Sequence, residues 1–163
     1  MDAAAPIIYA NIANGEQPQS LALRGRLAAL VVSLTCLAPL TLAATLTPNP
    51  TGTGTHTEIG LSQCQFMART GLPCPSCGMT TSWTWFVRGN LTASLYVQPM
   101  GTVLAVLAVC CFWAGLYAAA TGRPIYRLLN VLPGRYYFVP LLMFAIAAWG
   151  WKICIHLTGR DGW

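Results

Sequence analysis

The chain has 163 residues, of which 55% are hydrophobic and only 8% are charged, and its formal net charge is +5. Soluble domains carry about 25% charged residues, so this composition excludes an ordinary soluble domain. All four acidic residues lie outside the long apolar runs, which argues against a carboxylate-based hydrolase or proton pump, and we expect a protein without enzymatic activity. The basic residues are dispersed, so no nucleic-acid-binding surface is predicted.

The N-terminal region differs from the rest of the chain in composition. Residues 1–23 are polar and rich in alanine, with turn-forming Asn14-Gly15 and Pro18, so they predict a disordered tail. Residues 24–163 contain all the long apolar runs and are expected to form a single membrane domain.

Three apolar runs predict transmembrane helices at about 27–46, 97–121 and 136–157. Each run approaches the roughly 20 residues that an α-helix needs to cross a bilayer. The first and third runs contain proline, which membrane helices tolerate because neighbouring groups satisfy the freed backbone. The sequence therefore predicts an all-α integral membrane protein with three transmembrane helices.

The basic residues predict the orientation, because they concentrate in short cytoplasmic loops beside the spans. Two arginines precede the first run and three fill the connection between the second and third runs, against four basic residues elsewhere. This pattern places the N-terminus in the cytoplasm and the loop at 47–96 on the outer face. The first run is longer than the roughly 7–15 apolar residues of a signal peptide, so we expect an uncleaved anchor.

The loop at 47–96 is predicted to contain short interfacial or re-entrant helices. Thr55 and Glu58 match a capping box, which predicts a helix from Thr55 to about Thr70 that ends at Gly71.

A second short helix is predicted from Cys77 to Arg88, directly after a C-x-x-C motif. Cys74 suits a cap position and Pro75 the first helical position, where a missing N–H costs nothing. Asn90 is then suited to cap a further helix that leads into the second span.

The cysteines of the loop permit four interpretations, of which the simplest is tight helix packing without special sulfur chemistry. Cys64, Cys74 and Cys77 form a structural corner if they tie the short helices together on the outer face, where disulfides are permitted. Cys74 and Cys77 alone suit a redox dithiol, since residues at i and i+3 share a helix face. With His56 the same cysteines give a Cys3His set for zinc, although His56 lies beside a helix cap and is more simply a surface residue.

The motif and its surroundings resemble a known family. The matching residues are Cys64, Thr70-Gly71-Leu72-Pro73-Cys74-Pro75-Ser76-Cys77-Gly78-Met79-Thr80-Thr81-Ser82, Arg88-Gly89-Asn90, Ala93 and Gln98-Pro99. Between Cys64 and Gly101 the chain is similar to the bacterial membrane proteins catalogued as domain of unknown function 2752. The resemblance implies a small polytopic protein of the bacterial inner membrane and marks Pro75, Gly78 and Thr80 as motif residues. It implies no activity.

The chain departs from that family at one position. Many members carry an arginine soon after the motif, where this chain has Thr81 or Ser82, so any role of that arginine does not carry over.

We therefore expect a structural or accessory protein, with thiol redox chemistry or zinc binding as the alternative use of the three cysteines. Its expected partners are the lipid bilayer and other membrane subunits, which would pack on the small residues of 105–120. No cofactor other than zinc is suggested. Lys152 is expected to snorkel towards the headgroups, and with His156 it forms two polar groups at the interface.

Overall fold

The computed structural model describes residues 20–123 and 134–163, and within them it contains six α-helices and no strand. The helices are α1 (Leu23–Thr45), α2 (Gln65–Thr70), α3 (Met79–Val87), α4 (Leu91–Val97), α5 (Pro99–Thr121) and α6 (Arg135–Leu157), with a 3-10 turn at Thr55–Ile59. The predicted all-α fold is confirmed. Most of the predicted disordered tail, 1–19, and most of the basic connection, 124–133, lie outside the described residues.

Three helices, α1, α5 and α6, are long and apolar enough to cross a membrane. At 1.5 Å per residue, 23 residues extend about 35 Å, which exceeds the roughly 30 Å hydrocarbon core of a bilayer. The prediction of three such helices is confirmed. The first one begins at Leu23, four residues before the predicted start, so Arg26 lies in its first turn. The Arg26 guanidinium donates hydrogen bonds to the carbonyls of Ala119 and Ala120 at the end of α5.

The longest packing interface joins α1 to α5. Buried Ser33 donates a hydrogen bond to either the Ala29 or the Phe112 carbonyl, and its hydroxyl oxygen lies 3.1 Å from each. Opposite it on α5, a side chain at Gly115 would overlap the Ser33 hydroxyl and lie 2.9 Å from the Ala29 carbonyl oxygen. The two helices therefore approach closely because their contact residues are small.

The helices α3, α4 and α5 pack together around a buried cluster of hydroxyls. The Ser82 hydroxyl lies 3.0 Å from that of Ser94 and 3.1 Å from that of Thr102. At Asn90 the side chain accepts a hydrogen bond from the Ala93 backbone N–H, as the cap prediction expects.

The predicted single helix from Thr55 to Thr70 is wrong. The chain instead forms a 3-10 turn, leaves it at Gly60 with φ of +79°, and starts α2 only at Gln65. The capping-box residues are occupied by distant partners: the Thr55 hydroxyl pairs with that of buried Thr81 at 2.8 Å, and the Glu58 carboxylate accepts from the backbone and hydroxyl of Thr47. These contacts also lower the pKa of Glu58.

Candidate functional site

The C-x-x-C motif lies on a turn in front of α3. Backbone N–H groups of Cys77 and Met79 donate to the carbonyls of Cys74 and Ser76, which closes two successive turns. The predicted helix start at Cys77 is therefore two residues early. Gly78 precedes α3 with φ of +85°, and a Cβ there would lie 2.8 Å from the Gly52 carbonyl oxygen, so a glycine is required at this point.

The three loop cysteines converge although nine residues lie between Cys64 and Cys74. Cys64 precedes α2, and its Sγ lies within 4.8 Å of the Sγ atoms of both Cys74 and Cys77. The Cys74 and Cys77 sulfurs are 3.1 Å apart, and the backbone N–H of Cys74 donates to the Cys77 sulfur at 3.3 Å. Cys77 is buried, whereas the other two are partly exposed.

The environments of these thiols push their pKa values apart. The backbone N–H of Met67, in the first turn of α2, lowers the pKa of Cys64 to about 7. Burial, together with the neighbouring Cys74 and Cys64 thiols, raises the pKa of Cys77 to about 12. Cys64 therefore ionises far more readily than Cys77, and Cys77 stays protonated unless a cation takes the place of its proton.

A cavity of about 340 Å³ lies beside the sulfurs and is bordered by Cys64, Cys77 and His56. His56 is not part of the group of side chains whose ligand atoms lie close enough together for a metal within the described residues. Its Nε2 instead lies 3.2 Å from the Ser62 carbonyl oxygen. The motif residue Thr80 borders a second, mainly apolar cavity, which His56 also borders.

We refer to residues 71–78 as the corner segment, because side chains from distant helices bind its backbone. From α6, His156 Nε2 donates to the Gly71 carbonyl at 3.1 Å and Trp149 Nε1 to the Pro73 carbonyl at 3.0 Å.

The helix α5 contributes a contact of the same kind. Fully buried Gln98, at its start, donates from Nε2 to the Pro75 carbonyl at 2.8 Å. The motif residue Pro75 is itself exposed, and it contacts Gln98 through its backbone carbonyl.

Beneath Gly78 lies an ion pair between a fully buried ammonium and a partly exposed carboxylate. Lys152 is 0% exposed, and its Nζ is 3.2 Å from Asp161 Oδ1 and 3.4 Å from the Gly52 carbonyl oxygen. The other oxygen of Asp161 binds His156 Nδ1. The expectation that Lys152 snorkels to the headgroups is therefore wrong, because the C-terminal tail folds back and brings a carboxylate to it. The i, i+4 spacing of Lys152 and His156, followed by an acid shortly after α6, is the sequence signal for this cluster.

The fold and the site together define a helical protein with three membrane-length helices and a three-cysteine cluster in the loop after the first. Residues 64–113 match the family described as protein of unknown function DUF2752, which confirms the resemblance. The matched residues include all three clustered cysteines and extend from the start of α2 into α5. No curated protein and no solved structure matches this chain.

Proposed function

We propose that this chain is an accessory membrane protein in which Cys64 and the two cysteines of the corner segment form a structural thiolate centre for Zn²⁺. The convergence of Cys64, Cys74 and Cys77 within 4.8 Å carries the proposal. Zinc binds thiolates at about 2.3 Å with tetrahedral geometry, which separates the sulfurs by about 3.8 Å. The observed separations accommodate that arrangement with small side-chain movements.

The residues also suit zinc chemically. A bound cation favours the deprotonated form of every thiol that it contacts, including a buried one such as Cys77. Cys64, with its lowered pKa, supplies the first thiolate at neutral pH. The fourth position falls to water or to His56, which borders the same cavity.

The proposed role of the ion is to hold the loop together. It would link the start of α2 to the turn before α3, and that turn is the part of the loop that α5 and α6 bind through Gln98, Trp149 and His156. Partners in the membrane remain a prediction. Within 105–120, Ala105 and Ala118 are buried inside the chain itself, which leaves less of the small-residue surface for another subunit.

Metal analysis of the protein purified in mild detergent tests this function. We expect one zinc per chain in the wild type and a loss of stoichiometric zinc in Cys64→Ser and Cys77→Ser. Cys154→Ser, at an exposed position on α6, is the matched control and should keep its zinc. Zinc retained by Cys77→Ser, or absent from a folded wild type, contradicts the proposal. His56→Ala distinguishes water from histidine as the fourth ligand.

Thiol–disulfide exchange is the second function that a specific observation favours, namely the 3.1 Å separation of the Cys74 and Cys77 sulfurs. The two thiols would form one disulfide and transfer two electrons and two protons to a disulfide of the partner. Thiol counting before and after treatment with oxidised glutathione tests it. A reversible loss of two thiols in metal-free protein, abolished by Cys74→Ser, supports redox chemistry.

A further inference from the structure

A second cavity, of about 310 Å³, lies between the C-terminal half of α1 and the helix α3. Its walls are mainly apolar and include Leu42 and Leu46 from the end of α1, Ile59 and Leu61 from the loop, and Trp83 from α3. Leu42, Ile59 and Leu61 are more than 40% exposed, so the cavity is an open groove rather than part of the core. A groove of this composition suits an apolar chain.

Trp83 lines this groove, and its indole carries an N–H group. Its Nε1 is buried, and it has no hydrogen-bond partner within residues 20–123 and 134–163. The great majority of buried donors in proteins have a hydrogen-bond partner, so an unsatisfied donor calls for a specific explanation. A ligand that brings a hydrogen-bond acceptor next to an apolar chain supplies the missing partner.

The groove lies at the end of a membrane-length helix. Leu42 is three residues before Thr45, the last residue of α1, or about 5 Å along its axis. The groove thus meets the apolar surface of α1 where that helix would leave the hydrocarbon layer. In a glycerophospholipid the ester carbonyls occupy this depth, between the acyl chains and the headgroup.

A cation lies at the rim of the groove. The guanidinium of Arg88 donates to the carbonyls of Ala43 and Leu46, two residues that line the groove. The Glu58 carboxylate also faces Arg88, but it is bound by the backbone and hydroxyl of Thr47. Arg88 also donates to the Thr84 carbonyl at 2.9 Å, but neutral carbonyls leave its charge in place, and the residue is exposed. It therefore offers beside the groove a cation of the kind that complements a lipid phosphate.

We propose that this groove binds one glycerophospholipid. An acyl chain lies along Leu42 and Leu46, an ester carbonyl accepts a hydrogen bond from Trp83 Nε1, and the phosphate lies beside Arg88. None of the three clustered cysteines lines this groove, although His56 borders both the groove and the cavity beside the sulfurs.

Native mass spectrometry of the detergent-solubilised protein, titrated with phosphatidylglycerol, tests the proposal. Trp83→Phe keeps the ring but removes the N–H, and we expect it to weaken binding of the first lipid about fivefold, the effect of one hydrogen bond. Trp113→Phe, at a 62% exposed position on α5, is the matched control and should bind as the wild type does. Equal affinity of Trp83→Phe and wild type would overturn the proposal.

Two lipid analogues test the same contacts without changing the protein. An ether-linked phosphatidylglycerol, which lacks the ester carbonyls, should bind the wild type about fivefold more weakly than the ester form, whereas Trp83→Phe should not distinguish them. Diacylglycerol, which lacks the phosphate, should also bind more weakly. If the wild type binds the ester and ether lipids equally, the groove accepts any apolar chain and the proposal is wrong.

Discussion

Gly78 has much tighter surroundings than Gly71, the other glycine of the corner segment. Its φ is +85°, a region that side chains other than glycine rarely adopt, and a Cβ would lie 2.8 Å from the Gly52 carbonyl oxygen and 3.2 Å from Val97 Cγ1. These neighbours belong to the loop before α2 and to α4. Both elements therefore pack directly against the backbone of Gly78.

Gly78→Ala should therefore lower stability through both backbone strain and overlap. Gly89→Ala is the matched control, because Gly89 has a similar φ of +78° but nothing within 4 Å of an added Cβ. The left-handed conformation alone costs about 1–2 kcal/mol, and overlap in a packed site adds about 1–3 kcal/mol. Thermal unfolding in detergent measures both variants. Equal losses of stability in the two variants would show that the close contacts at Gly78 do not contribute to the effect.

The unequal thiols give a second prediction at this scale. In metal-free protein, the Met67 N–H lowers the pKa of Cys64 to about 7, whereas burial raises the pKa of Cys77 to about 12. Cys64 alkylation by iodoacetamide should rise as the pH passes through 7, because the thiolate is the reactive form. Cys77 should remain unmodified over this range. Peptide mapping identifies the modified residue, and preferential labelling of Cys77 would contradict the arrangement.

At the scale of elements, the small residues between α1 and α5 set how closely these helices pack. A side chain at Gly115 meets Ser33 and the Ala29 carbonyl at once. Neither partner is the end of a long flexible chain, so the helices themselves would have to separate.

Gly115→Ala should reduce stability by about 1–3 kcal/mol, the usual cost of overpacking. Gly150→Ala, within α6, has open space at the added Cβ and should cause no loss, since alanine favours helix over glycine. Unfolding of the two variants side by side checks this. A loss in both, or in neither, would contradict the account of the α1–α5 interface.

The long helices were predictable from sequence because length and hydropathy are local properties, and only the ends of α1, α5 and α6 needed the structure. The short loop elements were less predictable. Thr55 and Glu58 match a capping box in the local sequence. In the fold, however, the Thr55 hydroxyl pairs with that of Thr81, and the Glu58 carboxylate accepts from Thr47. The cysteine grouping followed from spacing and resemblance, whereas the placement of His56 outside it depends on the path of the loop.

On the scale of the whole molecule, α6 is attached mainly through polar contacts near its C-terminal end. It packs against α5 over only a short stretch. Trp149 and His156 bind the corner segment, and Trp151 donates to the Tyr96 carbonyl at 2.8 Å. The Lys152–Asp161 pair lies among these contacts. The spacing of the polar residues around the end of α6 is a sequence signal for the cluster, but the pairing itself depends on the tail folding back.

Asp161→Asn should destabilise the protein strongly, since it leaves the buried Lys152 ammonium without its counter-ion. Removal of one partner of a fully buried pair costs about 3–5 kcal/mol, and because Asp161 is 18% exposed we expect a loss near the lower end of that range. The double variant Lys152→Met with Asp161→Asn should recover much of that loss, because no buried charge remains. Thermal unfolding of the single and double variants measures this coupling. Additive losses would show that the two groups do not interact.

The cysteine cluster joins two parts of the loop. Cys64, at the start of α2, lies against Cys74 and Cys77 of the corner segment, and α6 binds that segment. X-ray absorption at the zinc edge of the purified protein tests the proposed centre most directly. We predict three sulfur ligands at about 2.3 Å and one lighter ligand. A zinc shell with fewer than three sulfurs, or one unchanged by Cys64→Ser, would contradict the proposal that these cysteines form a structural metal centre.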